Sequence, residues 1–121
     1  MYNTNIKLPD VPEAIPVPKG YKVLVAIPGI EEKTAGGIIR PDILRDQEKV
    51  ASIFGYVVSM GDLAYGDSDK FPTGPWCKNG DWVLFRAYSG TRLKIKGQEF
   101  RLINDDAIEG TVDDPRTVER A

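Results

Sequence analysis

Apolar and polar residues alternate along this chain in short blocks, and the blocks predict strands. Residues 21–27 read Tyr-Lys-Val-Leu-Val-Ala-Ile, with a large apolar side chain at every odd position. A second, β-branched strand is predicted over 55–61, closed by Gly55 and Gly61, and a third over 81–85, Asp-Trp-Val-Leu-Phe. Tyr88-Ser89-Gly90 turns the chain. The clearest block follows: Leu93 and Ile95 alternate with Arg92, Lys94 and Lys96. After a turn around Lys96-Gly97-Gln98, Phe100 and Leu102 alternate with Glu99 and Arg101, giving a hairpin with one apolar and one charged face. Asn104-Asp105-Asp106 breaks that pattern, and residues 107–112 supply a last short strand. Five or six short strands, almost no helix and glycine-rich turns predict an all-β fold, a small irregular β-barrel.

Three stretches lack a strand period. Residues 1–18 hold four of the nine prolines, which fixes φ and removes donors, so they read as an extended N-terminal arm. Residues 28–52 are rich in charge and in Gly and Pro, and form a loop too long to be a plain connection. Within it, residues 43–50 suit two helical turns. Residues 62–79 are an excursion with at most a small hairpin. The organisation expected is therefore an arm (1–18), one barrel domain (19–112) and a charged tail (113–121).

Composition narrows the chemistry. A chain of 121 residues suits one domain. Sixteen Lys and Arg against eighteen Asp and Glu give −2, so no long-range field gathers nucleic acid or anionic lipid. With no histidine, the commonest general base and metal ligand is missing. The single cysteine, Cys77, makes no intrachain disulfide and reads as a small buried apolar residue in a reducing compartment. No apolar run approaches the ~18 residues of a membrane span, and residues 1–18 do not read as a signal peptide. No glycine-rich phosphate cradle opens a helix, and the pairs Asp105-Asp106 and Asp113-Asp114 point apart on a strand, so no shared-proton site forms. A protein without catalysis, metal or cofactor is expected. One alternative is a single-stranded nucleic-acid module, because Arg92, Lys94, Lys96 and Arg101 share a face and small barrels bind such strands. That face carries no aromatic stacking partner. A structural or assembly barrel is the other alternative.

Three stretches in order resemble the GroES-type co-chaperonins, the ring-shaped caps of chaperonin chambers. Glu31-Glu32-Lys33-Thr34-Ala35-Gly36-Gly37-Ile38-Ile39 is similar to the family's mobile loop, where a Gly-Gly pair precedes a short apolar anchor. Gly55-Tyr56-Val57-Val58-Ser59-Met60-Gly61 matches the strand after that loop. The third runs from Gly80-Asp81-Trp82-Val83-Leu84-Phe85 through Ser89-Gly90-Thr91-Arg92-Leu93 to Asp106-Ala107-Ile108-Glu109-Gly110. The family's third anchor position is Arg40 here, followed by Pro41, and arm and tail are extra. A divergent phage-encoded member is compatible with those extensions.

The resemblance implies a GroES-like barrel with a mobile loop at about 28–52 and a roof hairpin or loop at about 62–79. It implies a homo-oligomeric, heptameric ring that docks on a group I (GroEL-type) chaperonin through Gly36, Gly37, Ile38, Ile39 and Arg40. ATP is bound by the partner, and non-native clients are enclosed, in bacterial or infected-host cytoplasm. Tyr21, Val23 and Val25 are expected to meet Ile108 and Val112 of a neighbouring subunit. Tyr65 and Phe71 are expected in the roof, facing a neighbour or the dome, with Trp76 sealing the barrel end. The loop has a logic of its own: glycine freedom and flanking charge oppose local packing, yet two adjacent isoleucines sit in its middle. Either one folds back on the barrel, or both dock on a partner in β-fashion.

Overall fold

In a computed structural model, the chain is described over residues 6–30, 33–34, 37–38, 40–41 and 52–118. The strands are β1 (Ile6–Lys7), β2 (Lys22–Ala26), β3 (Gly29–Ile30), β4 (Lys33–Thr34), β5 (Gly37–Ile38), β6 (Phe54–Met60), β7 (Trp82–Leu84), β8 (Thr91–Ile95), β9 (Gln98–Asn104) and β10 (Gly110–Val112). Six of them form one antiparallel sheet in the order β10-β7-β6-β2-β9-β8. β2 lies in the middle, paired with β9 from Lys22↔Asn104 to Ala26↔Phe100 and with β6 from Val23↔Met60 to Ala26↔Tyr56. Its register against β6 shifts between Leu24 and Val25, leaving Val58 as the extra residue of a bulge that sharpens the bend.

That bend lets the sheet close around its core. Val23, Val25, Val57, Val83, Phe85, Ile103 and Ile108 meet in one buried cluster. The Arg101 guanidinium on β9 lies 5.5 Å from the centre of the Phe85 ring, just beyond β7, although β6 and β2 separate those strands in the sheet. An all-β barrel is what the strand periods predicted. The opposite face of β2 is buried too: Leu24, Ala26 and Phe100 form a second cluster with Tyr56, Val58, Leu93, Ile95 and Leu102, which Ile15 of the arm helps to cover.

The β8–β9 hairpin turns through Lys96 (φ 51°) and Gly97 (φ 83°), the paired left-handed conformation that matches strand twist. Its faces need a correction. The apolar face (Leu93, Ile95, Phe100, Leu102) packs in the outer cluster, and the face expected in solvent turns inward at β9. Arg101 is only 1% exposed, opposite Val25 on β2, and Ile103 beside it is fully buried. The Arg101 guanidinium donates through Nη1 to the Ala87 carbonyl, and its Nε has no partner among the described residues. Burial, with Arg92 nearby, lowers its pKa.

The last strand is shorter than expected. Residues Asp105–Ala107 form a 3-10 turn before β10, so Asp105 and Asp106 still point apart. Asp105 is buried, while Asp106 is exposed and pairs with Lys70 at 2.7 Å, which raises the Lys70 pKa. The tail returns to the barrel: Asp114 caps a 3-10 turn over Pro115–Thr117, and Val118 packs with Phe54, Trp82 and Leu84. The helical turns expected over 43–50 lie outside the described residues.

Candidate functional site

The loop leaves the barrel where β2 ends. The Ile27 amide donates to the Glu99 carbonyl at 2.9 Å, the last ladder bond before Pro28. β3 pairs antiparallel with β1, so the arm folds back over the root of the loop instead of lying clear of its own subunit. Further out, β4 and β5 pair antiparallel in the register Lys33↔Ile38 and Thr34↔Gly37, which places Ile38 on the returning strand. Gly37 is exposed with φ +121°, and a Cβ built there meets nothing within 4 Å. An L-residue strains that backbone although there is room for its side chain. Arg40 is exposed. Gly36 and Ile39 lie outside the described residues.

The residues expected at a subunit contact divide in two. Val23 and Val25 are fully buried and Ile108 nearly so, all inside the chain's own core. β2 is also hydrogen-bonded on both edges, leaving it no backbone to offer a neighbour. These three residues hold the subunit together. Tyr21 is 56% exposed, Val112 is half-buried, and β10 is an edge strand of the sheet.

The aromatic assignments at residues 62–79 are reversed. This stretch folds as successive turns with no strand, closed by bonds such as the Phe71 amide to the Asp67 carbonyl (2.8 Å) and the Gly74 amide to the Phe71 carbonyl (3.0 Å). Tyr65 and Phe71 are buried in the core cluster and seal the barrel end. Trp76 is 44% exposed and lies edge-on over Phe71, with ring centres 4.9 Å apart. A polar anchor holds the seal. The Tyr65 hydroxyl donates to the Asp105 carbonyl (2.8 Å), and the Tyr65 amide donates to the Asp105 carboxylate (2.9 Å). Cys77 is buried beside it, with its Sγ 3.5 Å from the Tyr65 hydroxyl. Burial raises the pKa of both the phenol and the thiol, so neither is an activated nucleophile at neutral pH.

The cationic face expected on the hairpin is reduced. Arg101 is interior, and Arg92 pairs with Glu99 at 3.2 Å. Among the described residues, no group of three metal-binding side chains comes together, and no helix is long and apolar enough to cross a membrane.

Residues 17–112, which contain all of the six-stranded sheet and the loop, match the family model Chaperonin 10 Kd subunit. The chain belongs to that family. It is 33% identical over 97 residues to the co-chaperonin GroES of Rubrobacter xylanophilus, covering 80% of this chain and 96% of that protein. It is 40% identical over 96 residues to the co-chaperonin GroES of Desulfotalea psychrophila (79% and 96%). Co-chaperonin GroES 2 of Mesorhizobium japonicum is 34% identical over 100 residues (83% and 91%). These relatives align almost end to end, so most of the arm and the tail are additions to a chaperonin 10 subunit.

Two features of this chaperonin 10 chain carry no period a sequence could show. One is the buried Tyr65–Asp105 anchor. The other is Gln98, whose amide donates to the Ile27 carbonyl at 2.7 Å and accepts from the Asp10 amide at 3.1 Å. The proximity of Gln98 to a hairpin turn was its only sequence signal.

Proposed function

We propose that this co-chaperonin caps an ATP-driven, GroEL-type chaperonin chamber, each subunit of a homo-oligomeric ring, heptameric in our reading, lending one loop to the partner. Non-native client proteins are enclosed, and the partner binds the ATP. The co-chaperonin itself takes no cofactor and performs no catalysis, and it acts in the cytoplasm of a bacterium or an infected bacterial host. The observation that carries this reading is the β4–β5 hairpin, which presents Gly37–Ile38 on a two-stranded unit outside the main sheet. Gly36, Gly37, Ile38, Ile39 and Arg40 are the contact. Tyr21 and the β10 edge with Val112 are what remains for the neighbouring subunit.

Magnitudes explain why a ring is needed. Burying two isoleucines contributes about 3–6 kcal/mol. Ordering a segment on binding costs roughly 2–5 kcal/mol. One loop therefore nets almost nothing, whereas linked loops raise avidity by ~10²–10⁴ without new contacts. Individually weak contacts also suit a cap that must leave each cycle. Glu31, Glu32, Lys33 and Arg40 tune encounter and specificity more than affinity.

The test is a refolding assay with a denatured client, a bacterial group I chaperonin and ATP. The client's yield should rise only when this protein completes the mixture. An unchanged yield with a ring present by native mass spectrometry contradicts the reading.

A further inference from the structure

We infer that residues 6–10 of the arm act as an intramolecular strap that sets where and in what direction the docking loop leaves the barrel, with Gln98 as its clasp. β3 has no strand partner among the described residues except β1, so the pairing of the loop root depends on the arm. Gln98 ties three pieces of chain together: its Oε1 accepts from the Asp10 amide, and its Nε2 donates to the Ile27 carbonyl (2.7 Å) and to the Glu99 carbonyl (2.8 Å). Ile27 ends the strand ladder immediately before the root, so one side chain couples arm, hairpin and loop exit. Ile15, packed in the outer cluster, anchors the arm downstream of the strap.

The strap itself is lightly seated. Leu8 stays 64% exposed and Val11 37%, and with Tyr56, Val58 and Trp82 they border an open groove of about 680 Å³. The family match begins at residue 17, so the strap is an addition of this chain to a shared barrel. Its consequence follows from entropy. A root ordered in the free subunit no longer has to be ordered on docking, which strengthens each loop's contact. That consequence rests on the capping reading, but the strap does not.

The experiment therefore has two arms, applied to the full chain, a deletion of residues 2–10, Gln98→Ala and Gln98→Glu. Hydrogen exchange on the ring alone reads the amides of peptides spanning Gly29–Ile30. Protection should fall at least about tenfold in the deletion and in Gln98→Ala. Gln98→Glu, which keeps the acceptor for Asp10 but loses the donor to Ile27, should fall between. Chaperonin affinity should weaken by about tenfold per loop, as expected when backbone ordering of one or two residues moves from folding to binding. Unchanged protection overturns the strap. Lost protection with unchanged affinity overturns its positioning role. Should the full chain fail to bind any chaperonin, capping fails, and the exchange arm still decides the strap.

Discussion

Replacing Phe71 by Ala should destabilise the subunit far more than replacing the larger Trp76. Phe71 is 3% exposed and lies between the Tyr65 ring (4.8 Å) and Trp76 (4.9 Å), in contact with the barrel core. Truncating it removes a whole aromatic side chain and leaves a cavity that the anchored Tyr65 hinders from collapsing, a loss of about 3–5 kcal/mol. Trp76 is 44% exposed, so its truncation returns much less buried surface to water and costs about 1–2 kcal/mol. Tyr65→Phe keeps the ring but takes the donor from the buried Asp105 carbonyl, costing about 1–3 kcal/mol. For a domain of this size, 1 kcal/mol lowers Tm by about 3–5 °C. Phe71→Ala should therefore melt about 9–25 °C lower, Tyr65→Phe about 3–15 °C lower and Trp76→Ala within about 10 °C of wild type. Urea midpoints at one fixed protein concentration, with unchanged m-values, make the comparison. A Trp76→Ala protein that melts below Phe71→Ala would refute the assignment of the seal and return Phe71 to the surface.

Other expectations follow from the same contacts. Arg101→Ala should cost about 2–4 kcal/mol in urea unfolding, because a cavity opens beneath Phe85 and the Ala87 carbonyl loses its donor; Arg101→Met should stay within about 1 kcal/mol of wild type or gain stability, since no carboxylate pairs with the buried cation among the described residues. Folding raises the pKa of Tyr65 above its ordinary 10.0 and of Cys77 above 9.0, so the unfolded chain sheds these protons first. From about pH 7 to 9 stability should be flat, and it should fall as pH climbs beyond, less steeply in Tyr65→Phe; parallel slopes in melts from pH 8 to 11 would contradict the anchor. Gly37→Ala strains the positive φ and should loosen the β4–β5 pair, which lies outside the six-stranded sheet, so the barrel's Tm should be unchanged while chaperonin binding weakens by about tenfold per loop; equal affinity by titration would argue against the hairpin as the docked form.

The strands were legible because β-branched and aromatic residues cluster between Gly and Pro breaks, as on β2, whose two faces are both buried, and because true alternation survives on β8, where exposed Arg92 and Lys94 flank half-buried Leu93 and Ile95. Alternation identifies a face without saying what covers it. That is why Arg101 and Ile103, on the face that looked solvated, sit in the barrel, while Phe100 and Leu102 lie beneath Ile15 of the arm. Aromatic residues in an aperiodic stretch give even less: Tyr65, Phe71 and Trp76 have the same local signature, and only long-range contacts, the Asp105 anchor on Tyr65 and the core packing of Phe71, separate the two inside from the one outside. Two of the residues expected at a subunit contact turn inward for a related reason. Val23 and Val25 belong to a strand that looks terminal in the barrel sequence but is central in the sheet, because β9 returns to its free edge. Gly36-Gly37 and two isoleucines among charges single out in sequence the segment that carries the β4–β5 pair, whereas the strap depends on backbone pairing and on Gln98, neither of which leaves a pattern.

Capping is tested most directly by co-elution. The purified protein is passed over a sizing column with a bacterial group I chaperonin, with and without ATP, beside the double variant Ile38→Asp/Ile39→Asp. The account predicts a complex that requires nucleotide and is lost in the variant, whose own ring and melting temperature are unchanged. A double variant that still binds with nucleotide, or a well-folded wild-type protein that elutes as a monomer and ignores the chaperonin, would contradict it.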